Sequence, residues 1–459
     1  MGTLRSLSAG VVLSSFSTVA AAQPFWVPSG IPGTVLNLYG MASSFTCDTL
    51  LAGGSISYQG DWFENNPLML YANGDWTVLP NVNGQILAMS VYHDTIIAAG
   101  NFHLLNDTLP ADNMAYWTAE GWKTYGHFDG GLRKLKVIDD TLYAAGGFHS
   151  VDGVPMEGIV RRQGGHWEPV GQWNVNDLPV IIDFVKYNGS LVVIGILEYN
   201  NGRGISYLDN SDNTWKLLGP GFLGGSSSGH SLAVFQNELY VGGQIALATG
   251  NAGQDIMRWD GTAFHPVGNG VQRSYNDFNG FSDVRGLVVH NDLLYACGGF
   301  RFASGVPAGG VAIWDGVQWC APGGDITQGN GYGEALAFVG DTLFVLCGQV
   351  ADDTFVNHLA RYSGTDLIHT CTPVGVEEST GLGAITGLQW MWMGAWKAEI
   401  SGIPQGQASF AICDTQGRVV LQGLIQSDGA NPVKLMLPTL DTGIYIFNVG
   451  GHSIRFAVL

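Results

Sequence analysis

An all-β protein, a seven-bladed β-propeller followed by a small C-terminal β-sandwich, is what this sequence predicts, and three observations predict it. Seven apolar stretches between Leu50 and Gln349 each end in a glycine pair or its relic: Leu51-Ala52-Gly53-Gly54, Ala98-Ala99-Gly100, Ala144-Ala145-Gly146-Gly147, Val193-Ile194-Gly195, Tyr240-Val241-Gly242-Gly243, Ala296-Cys297-Gly298-Gly299 and Val345-Leu346-Cys347-Gly348. Aligned on positions 54, 100, 147, 196, 243, 299 and 348, they recur at intervals of 46, 47, 49, 47, 56 and 49 residues, the length of one four-stranded blade. After six of the copies comes a hairpin turn and then an aromatic, as in Asn73-Gly74-Asp75-Trp76, Gly164-Gly165-His166-Trp167 and Asp315-Gly316-Val317-Gln318-Trp319. The seventh, Ser363-Gly364-Thr365-Asp366-Leu367, keeps the turn and lacks the aromatic. After Pro373 the repeat stops and gives way to shorter strand-turn-strand patterns.

In chain order, the first 22 residues read as a secretion signal: Arg5, a short apolar stretch from Leu7 to Val19, and the small residues Ala20-Ala21-Ala22 before Gln23. The stretch is too short to span a bilayer, and no later segment is apolar enough to anchor the chain. Residues 23–373 form the propeller. Each unit reads as an inner apolar strand, the glycine strand, a third strand and an outer strand that opens at the aromatic. Short turns such as His93-Asp94, Asp139-Asp140, Asn237-Glu238 and Asn291-Asp292 join the first two, because Asx and glycine supply the positive φ that tight hairpins need. The seventh unit leaves its outer strand open between Trp26 and the segment around Leu367. Residues 374–387 read as a linker, and 388–459 as the sandwich, with Trp390, Trp392 and Trp396 on a strand buried on one face.

A glycine pair closing the second strand and an aromatic opening the fourth resemble the Kelch family of propeller repeats and the looser Kelch-like repeats of secreted bacterial proteins, over roughly residues 35–372. In the tail, a strand ending at Asp414 runs into Gly417-Arg418. Leu440, Gly443 and Tyr445 follow as Leu-x-x-Gly-x-Tyr, and an apolar strand ends the chain. This order resembles the C-terminal sorting domain of proteins exported by the type IX secretion system of Bacteroidetes. That resemblance implies a small sandwich read by the outer-membrane secretion machinery, and a protein that is released or held at the cell surface. The chain departs from the pattern in opening with Gly381-Leu382-Gly383-Ala384 rather than an Asn-Pro segment, and in carrying Arg455 where a lysine is usual.

Composition narrows the partners. With 19 basic and 38 acidic residues the net charge is −19, which repels phosphate backbones and anionic membranes, so nucleic acid is not expected. Six cysteines without CxxC spacing suggest no zinc site. Cys297 and Cys347 read as buried thiols or disulfide partners. No His-x-x-x-His, Gly-x-Ser-x-Gly or phosphate-loop motif occurs, and no cofactor or metal is expected. Length variation, and with it specificity, concentrates on the face opposite the tight turns, in 55–67, 197–204, 220–230 and 270–283. Its aromatics, Tyr58, Trp62, Phe63, Tyr199, Tyr275, Phe278 and Phe281, are the candidate contacts for an extracellular polysaccharide or protein. Phe102, Phe148 and Phe300 read as core. The expected function is ligand binding at the cell surface or outside the cell. The competing readings are a secreted oxidase or polysaccharide-degrading enzyme with its site on the axis, and an architectural surface protein.

Overall fold

The computed structural model describes residues 25–363, except 33, 44–48, 58–67, 80–81, 106–108, 225–226, 274–281 and 329–331, together with seven strands between 387 and 458. Residues 1–24, with the expected signal, lie outside the described residues. So does most of the expected linker.

Among the described residues between 26 and 362, the chain forms seven four-stranded antiparallel sheets, one of which gains a short fifth strand, Leu109–Pro110. In the sixth, the order from the axis outward is Val284–His290, Leu293–Gly298, Val311–Trp314 and Trp319–Cys320. The other inner strands are Thr34–Ser43, Val82–Tyr92, Leu132–Ile138, Val180–Tyr187, Ser228–Phe235 and Ala335–Val339. Each packs against the next, and the seventh meets the first, so the sheets close into a propeller. Leu50 and Ala52 of blade 1 share a core with Phe344 and Leu346 of blade 7. Phe102, Phe148 and Phe300 are fully buried, as their places at the ends of glycine strands suggest.

The inner turns have the backbone the sequence demands. Asp139 and Asp140 stand at φ 48° and 57°, and Asn291 and Asp292 at 47° and 57°. In blade 5 the pair is Gln236 and Asn237 (49°, 63°), one residue earlier than expected.

The missing seventh aromatic comes from the other end of the chain. Trp26–Pro28 pairs antiparallel with Leu359–Tyr362 as the outer strand of blade 7, Trp26 opposite Tyr362. There Trp26 takes up a job done around the ring. The indole N–H of an outer-strand tryptophan donates to a carbonyl of the preceding blade: Trp167 to Tyr125 at 3.1 Å, Trp215 to Val170 at 2.7 Å, Trp319 to Val267 at 3.1 Å, Trp76 to Ser29 at 3.0 Å and Trp26 to Gly323 at 3.1 Å. Glycines make room for these rings. At Gly126 (φ +110°) a Cβ would fall 2.7 Å from the Trp167 Nε1.

The glycine column has a different cause. In blades 1 to 6 the inner strand carries a β-bulge opposite a glycine, between Leu38 and Gly40, Ile86 and Ala88, Leu132 and Lys134, Ile181 and Asp183, Gly229 and Ser231, and Val284 and Gly286. The bulge drives the preceding carbonyl into the space of a side chain. A Cβ on Gly100, Gly146, Gly195, Gly243 or Gly298 would lie 1.9–2.2 Å from the carbonyl oxygen of Gln85, Gly131, Val180, Ser228 or Asp283. Blade 7 has no bulge in its ladder, and there the position is Cys347, whose N–H bonds the His358 carbonyl just as the Gly298 N–H bonds that of Gly310. Structural register therefore aligns residues 54, 100, 146, 195, 243, 298 and 347, one residue off the sequence alignment in blades 3, 4, 6 and 7.

On the face opposite the tight turns, connections entering one blade clasp the hairpin of that blade: Phe128 bridges Val151, Val271–Gln272 pairs with Phe302–Ala303, and the Asp352 N–H bonds the Asp325 carbonyl. The expected loop at 197–204 is instead an extension of blade 4, with Ser190–Tyr199 and Gly202–Asp209 paired to their tips. Cys297 and Cys347 are buried free thiols, and Cys320 is disulfide-bonded. In the tail, Gly387–Trp392 and Trp396–Ser401 pair as a hairpin, rather than one strand, beside Val433–Met436, and a second sheet runs Val419–Ser427, Gly406–Asp414, Gly443–Val449, His452–Val458.

Candidate functional site: the axial funnel

The bulges that force glycine into the second strand also decide what faces the axis. The extra residue of each bulge leaves the ladder. These residues are Tyr39, Leu87, Arg133, Ile182, His230 and Arg285, and Glu334 takes the same place in blade 7. Leu87, Arg133, Ile182, His230, Arg285 and Glu334 line one cavity of about 670 Å³ on the axis. The position is apolar in blades 2 and 4 and ionisable in blades 3, 5, 6 and 7.

In blades 5 to 7 a second layer lies two residues earlier in the chain: Ser228, which opens its strand, and Asp283 and Tyr332, which precede theirs. Together the layers make a connected group. The Arg285 guanidinium donates to Asp283 Oδ2 at 2.7 Å and to Glu334 Oε1 at 2.6 Å, bridging two blades. It lies 3.8 Å from the centre of the Tyr332 ring, a cation–π contact. Asp283 is fixed by accepting the Gly299 N–H at 2.8 Å. Ser228 Oγ and His230 Nε2 are hydrogen-bonded at 3.2 Å.

Burial and charge set the protonation of this arc. Burial lowers the His230 pKa, the Arg285 charge adds to that, and Asp283 opposes it; the imidazole is thereby kept neutral at neutral pH. Burial raises the Glu334 carboxyl, and the Asp283 charge adds to that, although Arg285 works against both. A neutral imidazole offers a hydrogen-bond donor and an acceptor, and the Glu334 carboxylate accepts from Arg285.

Across the funnel lies a second charged group. Asp183, its side chain 2% exposed, takes Lys136 at 2.8 Å and Lys134 at 3.6 Å. It also accepts the N–H groups of Phe184 and Leu232 at 2.9 Å each, tying blade 3 to blades 4 and 5. Burial alone would raise its pKa, but the two lysines and these hydrogen bonds outweigh burial and hold it below the usual carboxylate range. Arg133 is exposed. Among the described residues it has no ion-pair or hydrogen-bond partner.

Of the aromatics expected to contact a ligand, the structure describes Tyr199. It stands at the tip of the blade 4 extension, partly buried, its hydroxyl 2.8 Å from that of Ser206. Tyr58, Trp62, Phe63, Tyr275, Phe278 and Phe281 lie outside the described residues. In the tail, Asp414 pairs in register with Tyr445, and Gly443 with Val458, which sets the two parts of the sorting-like pattern on adjacent strands. Gly417, Arg418 and Leu440 lie outside the described residues. Local-motif searches miss the axial arc because its members are a blade apart. Reading the residues opposite the glycine column down the repeat isolates it, with Ser-x-His, Asp-x-Arg and Tyr-x-Glu in consecutive blades.

Among the described residues, no group of three or more His, Cys, Asp or Glu side chains is placed to hold a metal, and no helix is long and apolar enough to cross a membrane. No family model matches the sequence, and no curated protein matches it. Among solved structures, the chain is similar to PorZ, an essential bacterial surface component of the type-IX secretion system of Porphyromonas gingivalis, at 14% identity and TM-score 0.46, over 92% of this chain and 59% of that one. It is similar to the extracellular domain of a hybrid two-component system protein of B. thetaiotaomicron at 12% identity and TM-score 0.47, over 96% and 59%. A GH74 enzyme of Niastella koreensis matches at 12% identity and TM-score 0.39, over 92% and 65%. The chain thus spans less than two thirds of the length of each of these proteins, and likenesses at such identities concern the fold alone.

Proposed function

We propose that this chain is an exported propeller that recognises an extracellular polysaccharide or protein in its axial funnel, on the arc formed by blades 5 to 7. One observation carries the reading. The bulge position accepts leucine in blade 2 and isoleucine in blade 4, so the fold does not need an ionisable residue there, yet blades 5, 6 and 7 place His230, Arg285 and Glu334 at it. An ion pair taken out of water adds little stability over well-packed apolar residues, so the Arg285–Glu334 pair, kept where leucine or isoleucine serves in other blades, points to a site. The disulfide at Cys320 suits an oxidising compartment.

The Kelch-like character of the repeat, the signal at residues 1–22 and a type IX sorting role for residues 388–459 belong to the same proposal, and the pairing of Asp414 with Tyr445 supports the last of these. An array of glycans and surface proteins, probed with the purified protein and its Tyr332→Ala variant, tests the recognition. A ligand lost with the exposed Tyr332 ring supports it, and ligands indifferent to Tyr332 refute it. Deleting 388–459 is expected to trap the protein in the periplasm, and normal export would sink the sorting role.

Glu334, whose carboxyl burial pushes up, and the neutral His230 line the same cavity, which favours one second reading, a secreted polysaccharide-degrading enzyme. Product release from a polysaccharide panel, abolished by Glu334→Gln, would establish it.

A further inference from the structure

We infer that the ligand of the axial funnel is an acidic saccharide, whose carboxylate or sulfate group is held by Arg133. The inference rests on the reading that the funnel is a recognition site, and it names the chemical class recognised there.

Charge gives the first argument. The cavity is lined by Arg133, Lys134, Lys136 and Arg285 against the carboxylates of Asp183 and Glu334, a cationic lining inside a chain of net charge −19. A concave site with an excess of one sign, walled by low-dielectric protein, favours ligands of the opposite sign. The lining is the reverse of the molecule around it, so the acidity that keeps the protein soluble does not account for it.

Pairing gives the second. Lys134 and Lys136 are engaged by Asp183, and Arg285 by Asp283 and Glu334. Arg133 sits at the equivalent bulge position in blade 3 with no acceptor among the described residues. A guanidinium presents a planar fork of donors matched to a carboxylate or sulfate. Nothing among the described residues uses that fork.

Ser231 gives the third, independently of charge. Its side chain is 4% exposed, its hydroxyl has no hydrogen-bond partner, and it lines the same cavity. A buried hydroxyl without a partner is unfavourable, and a ligand hydroxyl met by rotation of the Ser231 side chain would relieve it. His230, beside it, offers a neutral polar edge. A volume of about 670 Å³ falls within the range of small-molecule sites. An unpaired arginine with hydroxyl-seeking neutral groups fits a sugar that bears an anion better than a bare inorganic anion.

The test is a calorimetric titration of the full chain with three probes: a galacturonate oligosaccharide, a sulfated oligosaccharide, and a neutral oligosaccharide of the same length. The expected result is saturable binding of an anionic probe, weakened at least tenfold by Arg133→Gln and weakened by raised salt, with little binding of the neutral one. Arg133 is exposed, so the variant is expected to fold, and an unchanged melting temperature verifies this. Equal binding of neutral and anionic probes, or binding of an anionic probe that Arg133→Gln leaves intact, overturns the inference. A neutral array ligand lost with Tyr332→Ala would overturn it while leaving axial recognition standing; ligands indifferent to both residues would remove both.

Discussion

The indole N–H of Trp26 donates to the carbonyl of Gly323 at 3.1 Å, joining residues 297 positions apart. That bond is the ring's closure. Trp26 also pairs with Tyr362 and meets its ring edge-on at 5.3 Å, and its backbone N–H donates to Asp352 Oδ2 at 3.0 Å. The strand Trp26–Pro28 thereby completes the last blade, and every other blade-to-blade contact becomes part of a closed circle.

Trp26→Ala is expected to destabilise the protein by about 3–5 kcal/mol, the usual cost of truncating a fully buried tryptophan, because Trp26 is 1% exposed. The loss opens the seam between blades 6 and 7 rather than one blade's interior. Urea unfolding measures it, and a cost under about 1 kcal/mol would show that the outer strand is not what closes the ring.

Gly298→Ala is expected to be far more costly than Gly131→Ala. A Cβ at Gly298 would stand 2.0 Å from the Asp283 carbonyl oxygen, and only backbone movement in the bulge can relieve that. At Gly131 the nearest atom is 3.7 Å away and φ is not positive. The melting temperature should fall by several degrees for the first, since about 1 kcal/mol moves a domain of this size by a few degrees, and barely for the second. Similar shifts for the two would mean that the glycine column does not answer to the bulges.

Much of this architecture was legible because a propeller repeats its physics. The glycine strands and the Asx turns recur in sequence since each bulge and each tight hairpin imposes the same backbone demand. Trp26 was harder to place, because its repeat lies nearly a whole chain away and only ring closure reveals which copy it completes. The axial arc was illegible for a related reason. His230, Arg285 and Glu334 are neighbours only through the circular arrangement of inner strands, and the bulges that turn His230 and Arg285 toward the axis leave their mark on the facing strand, in Gly243 and Gly298, rather than beside them.

Asp255 supplies a pH signature. Its carboxyl is 1% exposed; burial, with the Asp283 charge adding, pushes its pKa up to about 6, against hydrogen bonds from Ser282, Gln254 and the Ile245 N–H. The unfolded value is near 3.9. Because the folded pKa is the higher one, this group's contribution to stability is fully present below about pH 4 and is lost as pH rises through about 6, at a cost on the order of 3 kcal/mol. In blade 2 the same place holds Asn113, whose Oδ1 accepts the Phe102 N–H at 3.0 Å just as Asp255 Oδ1 accepts that of Ile245 at 2.9 Å. Asp255→Asn should therefore keep the bond from the Ile245 N–H and remove the pH-dependent penalty, while giving up the bond from Gln254 at a cost that does not vary with pH. Urea unfolding of parent and variant at pH 4.5 and pH 8 isolates the effect, since every other titrating group is common to both. The variant's stability relative to the parent should rise by roughly 1–3 kcal/mol between the two pH values. A difference that stays constant with pH would show that the carboxyl is already ionised without penalty in the folded protein.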